Sequence, residues 1–241
     1  MEKLELQNIK NVLLLGATGG IGQAILEHLL AGNTTLEVYA LARSPIEHPR
    51  VHYGITASID EASLSEFLSS IPSVKFELII NTVGYLENEQ GGPEKSLREI
   101  NEEKLLEYFR TNAVITPVLA KVVRNNLSSE GFAFVALSAM VGSITENELG
   151  GWYGYRASKT ALNAFLKNIA IEWRRTYKRS LVLAIHPGTT QTRLSEKFNS
   201  RVTHKIHSPA EAAVNICDVI FGTSYSQSGS FLNWDGLVIE W

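Results

Sequence analysis

"NVLLLGATGGIGQAILEHLL", residues 11–30, joins an apolar run to glycines at 16, 19, 20 and 22 and then to a helical pattern. The run "NVLLLGA" (11–17) reads as a buried strand, and an amphipathic helix follows over roughly 20–31. A glycine-rich turn between a first strand and a first helix lets the backbone approach a pyrophosphate and aims helix N–H groups at it. Gly16, Thr18, Gly19, Gly20, Ile21 and Gly22 are therefore candidate cofactor-binding residues. The spacing from Gly16 to Gly20 to Gly22 is G-x-x-x-G-x-G, which differs from the commoner G-x-G-x-x-G. Strand, turn and helix nonetheless occur in the order that such a site requires.

Similar runs recur outward from this segment. "EVYALA" (37–42), "VHYGI" (51–55), "FELIINTV" (76–83), "FAFVALS" (132–138) and "LVLAIHP" (181–187) read as buried strands, and "SFLNW" (230–234) supplies a seventh candidate. Near-continuous apolar strands belong to a parallel sheet covered on both faces. Helical patterns fill the gaps at roughly 60–70, 96–126, 154–177 and 208–221, the last opened by Ser208 as cap and Pro209 as first helical residue. Strict alternation predicts an α/β fold with a doubly wound sheet. No repeat or linker interrupts the pattern, so residues 1–241 read as one domain.

Composition narrows the function. The chain is 44% hydrophobic and 20% charged with a formal charge of −3, which gives no electrostatic reason for nucleic acid or an anionic membrane as partner. A single cysteine, Cys217, excludes an intrachain disulfide, and six scattered histidines leave no recognisable zinc spacing. No apolar run is long enough to span a bilayer. "MEKLELQNIK" does not read as a signal peptide, so a cytoplasmic location is expected.

Where the second strand ends in "ALARS", an NAD site typically places a carboxylate for the ribose diol. Ala42 holds that place, and Arg43 and Ser44 follow. A guanidinium donates paired hydrogen bonds to a 2′-phosphate, so NADP(H) is predicted over NAD(H). In "YGYRASK" (153–159), Tyr155 is followed four residues later by Lys159, whereas Tyr153 is followed four later by Ala157. Residues i and i+4 share a helix face, so only Tyr155 has a cation beside it within this segment. An ammonium neighbour is expected to lower a phenol from its ordinary pKa of ~10.

The glycine turn, "NTVG" (81–84), Y-x-x-x-K and "PGTTQT" (187–192) occur in one chain in that order. Together they resemble the short-chain dehydrogenase/reductase family over roughly residues 11–240. "GGWYGYRASKTALN" and "FLNWDGLVIEW" look more narrowly like its sniffer-type carbonyl reductases and C-factor-like bacterial proteins. The resemblance implies a Rossmann-like, mainly parallel seven-stranded sheet with helices on both faces. It implies Tyr155 as proton donor to a carbonyl oxygen, with Lys159 tuning it and holding the nicotinamide ribose. Asn112, in "FRTNAVI", matches the asparagine that maintains a water-linked proton path to the lysine. Asn81, Val83 and Gly84 would shape the adenosine side of the cleft, and Pro187, Gly188, Thr190 and Thr192 would lie near the nicotinamide amide. The implied activity is NADP(H)-dependent interconversion of a carbonyl and an alcohol; the alternative is a dinucleotide-binding sensor or signalling protein of the same fold. Sugar-nucleotide epimerase chemistry shares the tyrosine–lysine pair but usually needs a longer chain.

Several positions depart from the family pattern. Leu15 replaces a threonine, at the expected cost of a local hydrogen bond, and "GIT" (54–56) stands where an aspartate often meets adenine. The serine that polarises the substrate carbonyl has two candidates, Ser138 at 17 residues before Tyr155 and Ser143 at 12 before it. Ser138 is favoured because it directly follows the strand; alignment on Gly142 instead puts Ala139 in the slot. "TRLSEKFNSRVTHKIHS" (192–208) is expected to form a mobile cover, with His204 and His207 solvated rather than catalytic. Trp152 and Tyr153 are read as lining the pocket or as plain packing. The apolar surface of 96–126 and 154–177 suits pairing with another subunit, giving a dimer or tetramer.

Overall fold

The computed structural model describes residues 2–87, 91–196 and 205–241. Seven strands form one parallel sheet: β1 (Asn11–Leu15), β2 (Glu37–Ala42), β3 (Val51–Ile55), β4 (Leu78–Asn81), β5 (Phe132–Leu137), β6 (Ser180–His186) and β7 (Ser230–Asn233), in the order 3-2-1-4-5-6-7. Alternate residues of each strand face opposite sides. Val12 and Leu14 enter a core against helices α1 (Gly20–Gly32) and α6 (Pro209–Gly222), whereas Leu13 and Leu15 face the other core. That second core lies under α2 (Glu61–Ser70), α4 (Ile115–Val122) and α5 (Tyr153–Thr176). Cys217 packs fully buried in the first. The expected doubly wound architecture is thus present.

The predicted helix over 96–126 is broken. A short 3-10 turn is followed by α3 (Glu102–Phe109), a π-helical segment at Arg110–Val114, then α4 and a 3-10 end. Pro117 gives the reason: it has no N–H for the carbonyl four residues back, and the wider turn precedes it. The sheet order reverses direction between β1 and β4, where Leu15 sits beside Asn81. Ligands of open α/β sheets bind outside the strands' carboxyl ends at such a switch point.

Candidate active site

At the end of β1 the chain turns sharply through Gly16, whose φ is +82°. A side chain on Gly22 would strike Gly16's carbonyl and approach the Thr82 hydroxyl to 2.7 Å, so this turn closes only on glycine. Gly19 is the N-cap of α1, and no side chain caps that end. Thr18, Gly19 and Gly20 are exposed there, leaving backbone N–H groups at a helix amino end for an anion. At Leu15, Thr82 Oγ1, just past the end of β4, donates to the Leu15 carbonyl at 2.8 Å. Asn81 ties the same edge together: its Nδ2 donates to Thr116 Oγ1 at 3.0 Å and its Oδ1 accepts from the Val83 N–H at 3.0 Å. Gly84 is exposed beside it, 3.9 Å from Asn112 Oδ1 measured at the Cβ it lacks.

Arg43 and Ser44 are exposed just past β2. The Thr56 hydroxyl after β3 donates to the Ser58 carbonyl at 2.6 Å. After β6, Gly188 takes φ +75° and Thr190 Oγ1 donates to its carbonyl at 3.2 Å. The Thr192 methyl would meet a Cβ on Gly20 at 3.0 Å, so the segment from Pro187 to Thr192 closes over the start of α1. His207 pairs by backbone with Thr189 and Gln191 and is only 2% exposed, against the expectation of a solvated ring. Its ring packs on Trp234 at 4.5 Å. The middle of the proposed cover, 197–204 with His204, lies outside the described residues.

Helix α5 turns Tyr155 inward and leaves Tyr153 exposed. Tyr155, Lys159 and Asn163 recur every four residues on its buried face. Lys159 Nζ donates to the Leu137 carbonyl at 2.9 Å and lies 5.9 Å from the Tyr155 ring centroid. Burial lowers Lys159 to about 8 and pushes the Tyr155 phenol up. The expected lowering of Tyr155 by its cation is therefore reversed in this structure, where desolvation dominates. Asn112 lies in the π segment; its Oδ1 accepts from the Tyr85 N–H at 2.7 Å, and its Nδ2 donates to the Tyr85 carbonyl at 2.9 Å and to Ser158 Oγ at 3.1 Å. Ser158 in turn donates to the Tyr155 carbonyl at 2.8 Å, so Asn112 reaches the helix turn carrying the tyrosine.

The two candidate serines have different partners. Ser138 Oγ donates to Asn163 Oδ1 at 2.6 Å, deep under α5, and Ser143 Oγ accepts from the Glu146 N–H at 3.1 Å. Ala139, Val141 and Trp152 pack against the cluster of Leu86, Tyr108 and Tyr155. Trp152 meets the Tyr155 ring edge-on at 6.0 Å. Sequence reasoning missed Thr82, Ser158 and Asn163; only Asn163 carried a signal, as the third member of the four-residue ladder.

The glycine turn at the end of β1 and the inward Tyr155 and Lys159, the latter bonded to the end of β5, both lie at the carboxyl edge of the sheet. The family model described as short chain dehydrogenase matches residues 10–203. The chain belongs to the short chain dehydrogenase family. Among curated relatives, the chain is 26% identical to 1-hydroxy-2-glutathionyl-2-methyl-3-butene dehydrogenase of Rhodococcus sp. (strain AD45), over 97% of this chain and 100% of the relative. It is 24% identical to the C-signal protein of Myxococcus xanthus, over 73% of this chain and 98% of the relative. In fold it is similar to the carbonyl reductase Sniffer of D. melanogaster, with TM-score 0.85, 21% identity and coverage of 97% and 100%. It also resembles the NADPH-bound carbonyl reductase from chicken fatty liver, with TM-score 0.83, 24% identity and coverage of 97% and 99%. Among the described residues of this short chain dehydrogenase, no helix is long and apolar enough to cross a membrane, and no three His, Cys, Asp or Glu side chains cluster as for a metal.

Proposed function

We propose that this short chain dehydrogenase is an NADP(H)-dependent oxidoreductase that interconverts a carbonyl and an alcohol, with residues 1–241 acting as one dinucleotide-binding unit in the cytoplasm. The observation that carries the reading is that Tyr155 and Lys159 share one buried face of α5, with Lys159 bonded to the end of β5, at the same carboxyl edge of the sheet as the glycine-only turn at Gly16 and Gly22. The crowded glycines and uncapped start of α1 fit a pyrophosphate, and exposed Arg43 fits a 2′-phosphate. The nicotinamide supplies hydride exchange when bound. Thr18, Gly19, Gly20 and Ile21 would hold the phosphates; Asn81, Val83 and Gly84 would border the nucleoside. Pro187, Gly188, Thr190 and Thr192 would border the nicotinamide end.

Tyr155 would give its hydroxyl proton to the carbonyl oxygen, or take one from the alcohol. Lys159, with Asn112 behind Ser158, would relay and balance that charge. Ser138 would polarise the carbonyl by turning its hydroxyl from Asn163 to the substrate. The commitment of Ser138 to Asn163 is also the observation that favours the second reading, a dinucleotide-binding signalling protein with little turnover; likeness to C-signal agrees with it. Incubation with NADPH and a panel of aldehydes, ketones and quinones separates the two. Oxidation of NADPH that depends on a carbonyl supports the enzyme, and tight NADPH binding without turnover supports the signalling protein. Titration of NADPH and NADH against wild type and Arg43→Ala tests the cofactor: undiminished NADPH affinity in the variant removes that assignment. Exposed Leu106, Val114 and Phe165 on α3, the π segment and α5 would pair with a second copy, which sedimentation of the protein tests.

A further inference from the structure

Tyr155 sits in the first turn of α5, yet this helix end has no cap of the usual kind. Trp152 occupies the N-cap in a left-handed conformation, φ 53°, the sole non-glycine positive φ among the described residues, and its side chain caps nothing. A residue with a Cβ holds that conformation only where its surroundings impose it. The missing acceptor comes from a loop sixty residues earlier. Glu94 Oε2 accepts from the Gly154 N–H at 3.1 Å, and the Glu94 carbonyl accepts from the Trp152 N–H at 2.5 Å. One residue therefore grips the chain on both sides of the strained tryptophan.

The grip is built, not incidental. Gly150 and Gly151 both have positive φ, and a Cβ on Gly151 would lie 3.5 Å from the Glu94 carbonyl oxygen. Lys104 Nζ donates to the Gly92 carbonyl, fastening the same loop to α3. Glu94 is 1% exposed, and its Oε1 has no hydrogen-bond partner among the described residues. An unpaired buried carboxylate oxygen costs stability, so a capping serine or aspartate at 152 would serve the fold better. What the costly arrangement achieves is a fixed entry to α5 directly before Tyr155.

We propose that Glu94 is a positioning residue: by holding the Trp152 and Gly154 amides it fixes the first turn of α5, and so the place of the Tyr155 hydroxyl and of the Trp152 ring packed against it. The inference rests on Tyr155 being the proton donor proposed above.

Three substitutions separate reach from charge. Glu94→Ala removes the side-chain acceptor, Glu94→Gln keeps an acceptor of the same length, and Glu94→Asp keeps the charge but withdraws it by one methylene. Amide exchange at Gly154 and Tyr155 is read without any substrate, and kcat and KM are read with a carbonyl that wild type reduces. In Glu94→Ala and Glu94→Asp, exchange at Gly154 should be about tenfold faster and kcat about tenfold lower, with KM within about twofold. Glu94→Gln should stay within about threefold of wild type in both. A Gln variant as impaired as Ala, an Asp variant equal to wild type, or a folded Ala variant unchanged in exchange and kcat overturns the proposal. If Glu94→Ala does not fold, the contrast between Gln and Asp decides. A wild-type protein that reduces no carbonyl fells the reading of Tyr155, and the exchange measurements still report whether the grip exists.

Discussion

Burial moves Tyr155 and Lys159 in opposite directions, holding the phenol protonated and bringing the ammonium down to about 8. A protonated phenol is the form that can donate to a carbonyl oxygen. Tyr155→Phe removes the donor and little else, so turnover should fall about 10²- to 10⁴-fold while NADPH binding stays unchanged by fluorescence titration. Normal turnover in that variant contradicts the proposed role. The environment of Ala139 gives a second test. It packs against the cluster that contains Tyr155, so a hydroxyl added by Ala139→Ser should raise kcat, whereas Ser143→Ala should leave it unchanged. The four-residue spacing of Tyr155 and Lys159 was readable because it depends only on helix period. The commitment of Ser138 to a partner 25 residues away was not, because strand-end spacing carries no information about which way a hydroxyl points. His207 was misread for a similar reason: its burial comes from Trp234 and the turn at Gly188, both remote in sequence.

Elements join at the switch point through one hydroxyl. Thr82, on the chain leaving β4, donates to Leu15 at the end of β1 and fills the space that Gly16 and Gly22 leave open. Thr82→Val keeps that shape and deletes the bond. It should lower stability by about 1 kcal/mol in urea unfolding and weaken NADPH binding through a looser turn. Affinity equal to wild type speaks against coupling between the two strand ends. All seven strands were legible from apolar runs, with ends displaced by two residues or fewer, since burial on both faces leaves an unbroken signal. The π segment was not: Asn112 and its neighbours carry ordinary helical periodicity, and the clue was Pro117 alone. Widening the helix there puts Asn112 within reach of both Tyr85 and Ser158.

Across the whole molecule, the parallel sheet separates two cores and gathers the candidate site at one edge. Lys159 links that edge to stability. Its ordinary value is 10.5 and its folded value about 8, so between those limits the unfolded chain binds more protons than the folded one. Stability contributed through Lys159 therefore rises with pH across that window, and the cost of burying its charge stands in full below it. The Tm of wild type minus that of Lys159→Met should climb from about pH 8 toward 10.5 and be flat below; a difference that does not change with pH excludes the effect. Opposite the α5 face, Cys217 is 1% exposed on the buried face of α6, and burial pushes its thiol up to about 12. A maleimide should leave the native protein untouched and mark it only on unfolding. The surface thereby offers a blank background for chemistry: a cysteine introduced at exposed Arg193 would take a fluorophore alone, and its emission would report in real time how the chain beyond β6 responds to each nucleotide.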